Sequence, residues 1–315
     1  MRAVLGFDTS CYTTSVAAVS WDGQILSSRR RLLHVPMGER GLQQSEGLFQ
    51  HVAALPELLQ EAMHDLSGCE VAAVCASTRP RPAEASYMPV FKAGESHARA
   101  AASLLRVPFF SVSHQEGHVR AARVDSGLDA EKFLALHLSG GTTELLGVRD
   151  GGLSLLGGSL DLHAGQLIDR VGVRIGLSFP AGPALERLAM RGQACERLGV
   201  SIRGLNCSLS GAETKILRLI DAGDISQEDA AAEVFSLLAR SILRMLTAAV
   251  EQTGMRKALL AGGVASSAYL RRLLTERVQR RRLKVELYFA RPELAGDNAV
   301  GVALLGLERK REMEA

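Results

Sequence analysis

Residues 3–27, AVLGFDTSCYTTSVAAVSWDGQILS, and residues 134–157, LALHLSGGTTELLGVRDGGLSLLG, decide the fold, because they write one arrangement twice. Each opens with an apolar run and passes a small polar turn and a Thr-Thr pair. Each then enters a second apolar run, turns at Asp-Gly and closes in a third. Asp-Gly between apolar runs is a hairpin signal, because the turn needs positive φ and glycine supplies it without steric cost. Asp22-Gly23 and Asp150-Gly151 therefore predict that each half begins with a three-stranded antiparallel meander.

Outward from the two meanders, strands and helices alternate. In the first half the pattern predicts helices over 44–65, 92–105 and 114–122 and strands over 71–77 and 108–112. In the second half, 163–191 reads as helical with a break at Phe179-Pro180, and 226–253 as one long helix. A strand (257–261), a helix (266–279), a strand (284–289) and a helix (298–309) follow. Alternation of this kind means α/β layers. A repeated meander followed each time by such units predicts a duplicated, bilobal α/β fold with a cleft between lobes. The polar stretch 123–132 marks the boundary. The expected lobes are 1–125, carrying the paired histidines, and 126–315, with the option that the last helix packs back on the first lobe.

Composition is ordinary for a globular protein: 315 residues, 47% hydrophobic, 23% charged, net charge +3. No apolar run reaches the roughly 18–20 residues that span a bilayer, and the N-terminal apolar stretch is broken at Asp8, unlike a signal peptide. A cytoplasmic location without membrane attachment is the expectation. Five cysteines (Cys11, Cys69, Cys75, Cys195, Cys207) form no CxxC pair, which argues against a disulfide framework and a cysteine zinc site. Arginine is clustered at 29–31 and over 271–282. Such runs are commonly solvated faces, and the competing reading is a patch that meets RNA phosphates.

Three turns suit a phosphate. Asp8-Thr9-Ser10 and Ser139-Gly140-Gly141-Thr142-Thr143 hold equivalent places in the two meanders, and Gly262-Gly263 lies between a strand and a helix that starts near Ser266. Glycines let backbone approach a ligand, and a helix N-terminus favours an anion. Together they point to a nucleotide. His114 and His118, four apart on one helix, lie on one face and are close enough to share a metal. The same spacing also fits two histidines that satisfy local hydrogen bonds. Glu116 lies off that face, so this is not the H-E-x-x-H arrangement of zinc proteases. Asp297 is placed as a helix N-cap and is the candidate third ligand. Two imidazoles and a carboxylate leave positions open for a substrate oxygen, and they suit Fe or Zn equally.

These residues together resemble the Gcp/TsaD family, the tRNA threonylcarbamoyladenosine synthase subunit, over nearly the whole chain. FDTSCYTTS is similar to its first phosphate turn, VSHQEGH to its HLEGH-type helix, and LSGGTTELL to its SGGHTEL segment. DLHAGQLIDRVGVRIGLSFPAGP, CSLSGAETK, AGGVASSAYLR and GDNAVGVA follow in register. The resemblance implies the actin/sugar-kinase/Hsp70-type fold and transfer of a threonylcarbamoyl group from its adenylate to adenine N6 at position 37 of tRNA. One divalent metal would be held by His114, His118 and Asp297. Ser139 to Thr143, Asp169, Gly182 and Ser267 would line the adenylate site, which accepts threonylcarbamoyl-AMP or ATP. The implied partners are tRNA, a TsaB-like companion subunit of the same fold and a small ATPase.

Some positions depart from the family pattern. Cys11-Tyr12-Thr13-Thr14 stands where the family has Cys-Asp-Glu-Thr, Thr142 replaces a histidine, Glu213 aligns with a lysine, and Ser267 replaces an asparagine. RPRPAEASYMPVFKAG (79–94) replaces a glycine-rich segment. The chain thus resembles a diverged member. Two alternatives stay open at this point: a paralogue acting on another carbamoyl-type acceptor, and a non-catalytic nucleotide-binding partner subunit.

Overall fold

A computed structural model of the chain describes residues 1–10, 12–35, 42–83 and 85–315. Cys11 of the first turn and Glu84 of the replaced segment lie outside the described residues. The chain divides into two compact units, Met1–Val124 with Gly296–Ala315, and Asp125–Ala295. The last helix thus belongs with the N-terminal residues and not with the stretch that precedes it.

Unit 1 begins with β1 (Arg2–Thr9), β2 (Thr13–Ser20) and β3 (Ile25–Leu32), the expected meander, then α1 (Gln44–Asp65), β4 (Glu70–Arg79), α2 (Phe91–Leu105), β5 (Phe109–Ser113) and α3 (His114–Arg123). Its sheet has the order β3-β2-β1-β4-β5, antiparallel across the meander and parallel from β1 to β4 and β5. In unit 2 the same plan returns: β6 (Phe133–Leu138), β7 (Thr143–Arg149), β8 (Gly152–Gly158), α4 (Ala164–Arg174), α5 (Gly182–Ala189), β9 (Ser201–Arg203), β10 (Asn206–Ser208), α6 (Ser210–Asp221), α7 (Gln227–Thr253), β11 (Lys257–Ala261), α8 (Ala268–Arg281), β12 (Glu286–Phe289) and α9 (Pro292–Ala295). Its main sheet has the order β12-β11-β6-β7-β8, the same third-second-first-fourth-fifth succession. The chain then returns to unit 1 as α10 (Val300–Glu314).

The central strand β1 shows how sequence period places the site. Leu5 and Phe7, with Val16 and Ala18, pack with Leu55, Leu58 and Ala98 from α1 and α2. The alternate residues face the other way: Val4 and Gly6 lie against α10, where Gly6 leaves no room for a Cβ beside Ala299 and Ala303. A strand alternates faces residue by residue, so Asp8 emerges on the α10 side and Thr9 on the α2 side. The sequence pattern does not reveal the short hairpin of β9 and β10. Strands of three residues carry too little periodicity to be seen.

Candidate metal centre and nucleotide turns

The start of α3 is fixed by its own sequence. Ser113 at the N-cap accepts from Glu116 N at 3.2 Å, and the Glu116 carboxylate accepts from Ser113 N at 2.7 Å, a capping box. Pro80, in the segment that replaced the family's glycines, accepts from Gln115 N in the first turn of α3 through its carbonyl at 3.0 Å. With the first turn held, His114 and His118 project on one face with ring centroids 4.3 Å apart and edge to face. Asp297 precedes α10 and reaches the same point. Its Oδ1 lies 2.9 Å from His118 Nε2 and 3.7 Å from His114 Nε2. One donor atom from each of the three lies within 4.8 Å of the others. All three residues belong to unit 1, so the triad is assembled inside one unit.

Two residues of the first turn, Asp8 and Ser10, contact the triad. The side chains of Asp8, Thr9 and Ser10, expected to face phosphate, are committed within unit 1. Asp8 is fully buried, and its Oδ1 accepts from His114 Nδ1 at 2.8 Å and from the Ser77 hydroxyl. Its Oδ2 is buried with no hydrogen-bond partner among the described residues. Thr9 donates to Val90 O at 3.0 Å and accepts from Gly94 N. Ser10 donates to Asp297 Oδ2 at 2.8 Å, and its carbonyl lies 2.8 Å from His51 Nε2. Burial alone would lower the His114 pKa, but the Asp8 and Asp297 carboxylates outweigh it and push the imidazole up to about 9. Burial would raise the Asp297 pKa, yet the hydrogen bond from His118 and the charge of His114 hold that carboxyl well below its usual range.

This donor set fits a transition metal. Each Nε2 is turned toward Asp297, while His114 Nδ1 is held by a carboxylate, the outer-partner arrangement that fixes a ligating imidazole's tautomer and raises its basicity. If that is the role of Asp8, Asp8→Asn should weaken metal binding by about 10–100-fold with the fold retained. Competition against a chromophoric chelator measures this, and parent-like affinity would remove Asp8 from the centre.

In unit 2, β6 and β11 are parallel neighbours, with Ala261 opposite His137, so the turns after both strands open at the same end of the sheet. Gly262 has φ +95°, and a Cβ there would stand 2.2 Å from Leu138 O, so the close strand approach requires glycine. Gly140, Gly141 and Gly263 differ: a Cβ at any of them would meet nothing within 4 Å. Ser139 holds its turn through its N–H to Thr142 O at 2.8 Å, and Thr143 Oγ1 accepts the first N–H of α4 from Ala164. Asp169, one helical turn beyond Gly165, accepts from Ala181 N at 2.8 Å just before Gly182 opens α5. Burial raises its pKa. Ser267 caps α8 by accepting from Leu270 N. Glu186, which the sequence reading passed over, accepts from Tyr269 N at 2.8 Å and ties α5 to the head of α8. Its partner lies 83 residues away, beyond any local signal. Ten of the expected residues lie in unit 2 and the other six in unit 1.

Two five-stranded sheets of identical strand order, each led by a meander, define a protein of the actin/sugar-kinase/Hsp70 class. Solved structures agree on the fold. T. kodakarensis HypF superposes with a TM-score of 0.65 at 15% identity, over 99% of this chain and 48% of that one. A ROK family glucokinase from Streptomyces griseus gives 0.56 at 13%, over 97% and 99%. The chain belongs to the TsaD family: the model of that family, described as tRNA N6-adenosine threonylcarbamoyltransferase, matches residues 44–304. A protein of that description from Methanopyrus kandleri is 33% identical over 96% of this chain and 86% of its own length. Among the described residues, no helix is long and apolar enough to cross a membrane.

Proposed function

We propose that the chain transfers a threonylcarbamoyl group from threonylcarbamoyl-adenylate to N6 of adenosine 37 in tRNA, with one divalent metal, Fe or Zn, held by His114, His118 and Asp297. The observation that carries this is the convergence of the three donor atoms within 4.8 Å in a chain of this family. A metal held by these residues would supply a Lewis acid to substrate oxygens. Asp8 holds His114 through Nδ1, and Ser10 holds Asp297 through Oδ2, so the ligands are oriented before the metal arrives. In unit 2, the open backbone at Gly140, Gly141 and Gly263 accepts the nucleotide against the head of α8, beside Ser139, Thr142 and Asp169. A TsaB-like companion and a small ATPase are the proposed partners, in the cytoplasm. The direct test is nucleoside mass spectrometry of tRNA incubated with the protein, threonine, bicarbonate, ATP and the upstream adenylate-forming enzyme. Absence of the modified adenosine under conditions where an authentic synthase forms it would overturn the reading.

Gly263 gives a sharper test of the nucleotide turn. Because a Cβ at Gly263 meets open space, Gly263→Val should fold as the parent does while occupying room a nucleotide would use. Calorimetric titration with ATP or AMP should then show affinity lowered by roughly tenfold or more, about 1.4 kcal/mol. Unchanged binding would take Gly263 out of the cradle. The replaced segment 79–94 favours a second reading, an altered acceptor, since Tyr87 there is 67% exposed and offers a stacking face. Restoration of modified tRNA in cells depleted of the authentic synthase would reject that second reading.

A further inference from the structure

The two arginine runs have opposite fates in the fold. The first is consumed by ion pairs along α1: Arg29 meets Asp65 at 2.7 Å, and Arg31 meets Glu57 at 2.8 Å. Part of the second is also structural. Arg271 donates to the carbonyls of Ala265 and Ala290 and stacks over Phe289. Arg277 is buried against Ser236 and Glu196. Arg272 lies over the Tyr269 ring, 3.9 Å from Glu276.

The far end of α8 differs. Arg280, Arg281, Arg282 and Lys284 are all exposed, and among the described residues none has a carboxylate partner. Exposed Arg256 stands beside them, because its carbonyl accepts from Glu286 N at 2.8 Å where β12 begins. The five cations lie on adjoining chain segments at this end of β11, with Glu286 and Asp129 on the same side of the sheet. Like charges at adjacent positions repel, so a run kept only for stability would be paired as the first one is. Guanidinium forks match phosphate oxygens in pairs.

We propose that Arg256, Arg280, Arg281, Arg282 and Lys284 form a docking surface for the phosphate backbone of RNA. This rests on the tRNA reading above and names the part of unit 2 that would hold the acceptor. The surface lies at the opposite end of β11 and α8 from the Gly262–Gly263 turn. The 14 residues of α8 separate the two by about 21 Å. It therefore meets phosphates several nucleotides away from any base handled at that turn, and contributes affinity without reading sequence.

The test compares binding of an unmodified tRNA transcript to the full chain across a salt series. The variants are Arg280→Gln/Arg281→Gln/Lys284→Gln and, as control, Arg29→Gln/Arg31→Gln. Glutamine keeps helix propensity at Arg280 and Arg281, and Lys284 lies beyond the end of α8, so thermal unfolding should be unchanged and verifies the fold. Each phosphate contact contributes about 0.7–0.9 to the slope of log affinity against log salt, so the patch variant should lose about 2–3 from that slope. The control should keep it. A patch variant with the parent's slope overturns the inference, and if the parent modifies tRNA the proposed function still stands. A lost slope in a parent that transfers no threonylcarbamoyl keeps the surface and overturns the function. Patch-dependent binding to anionic phospholipid vesicles with none to tRNA would mark a membrane surface and overturn the inference.

Discussion

Replacing His114 with Ala should strip the purified chain of most of its metal, whereas Glu116→Gln, two positions along the same helix, should leave the load unchanged. His114 contributes one of three donor atoms that lie within 4.8 Å of each other. Losing an outer partner of a metal ligand costs about 10–100-fold in affinity, and losing a ligand itself costs more. Glu116 instead spends its carboxylate on Ser113 N, and glutamine serves equally at that capping position. The pair therefore separates ligation from the integrity of α3. His114→Ala also leaves the buried Asp8 carboxylate without its imidazole, which threatens the fold as well as the site. Asp297→Asn is the companion variant: it keeps the shape and an acceptor for Ser10 but removes the charge, and it should lose metal too. Metal is read by inductively coupled plasma mass spectrometry on chains of verified fold. Equal metal in the parent and both ligand variants would end the proposal of a centre at this triad.

Much of this arrangement was legible in the sequence for reasons that can be named. The meander repeat is carried by apolar alternation and by Asp-Gly turns, and in the structure Asp150 and Gly151 both have positive φ, as a tight hairpin turn demands. The histidine pair is a helix-face argument and needs no partner to be seen. What stayed hidden is what depends on partners brought from far along the chain. Asp8 reads as a turn residue beside hydroxyls, and only the neighbouring strand β4 and helix α3 reveal that Ser77 and His114 take its carboxylate. Strand parity held the clue, because Asp8 shares its face with Val4 and Gly6. The arginine runs look alike in sequence and differ only in whether α1 supplies carboxylates opposite them. Glu186 and Tyr269 illustrate the same limit in unit 2.

Gly301→Val should both destabilise unit 1 and empty the metal centre, because α10 carries Asp297 to the histidines only by lying directly on α3. A Cβ at Gly301 would stand 1.9 Å from the Gly117 carbonyl oxygen and 2.7 Å from Ala121 N. The atoms met are backbone of another helix, so no rotamer change relieves the clash and the helices must separate. Removing a helical glycine ordinarily gains about 0.5–1 kcal/mol, while overpacking costs about 1–3 kcal/mol and more where backbone must move. The clash therefore wins, already for Gly301→Ala and more severely for Val. Gly211 in α6 supplies the contrast, since a Cβ there meets nothing within 4 Å, and Gly211→Ala should be neutral or stabilising by several tenths of a kcal/mol. Thermal and urea unfolding of the three chains give the order, and metal content gives the second readout. Separation of α10 from α3 moves Asp297 away from His118 Nε2, so Gly301→Ala should lose metal even under conditions where it remains folded. A Gly301→Ala chain as stable and as metal-loaded as the parent would show that the contact of these two helices does not set the position of Asp297.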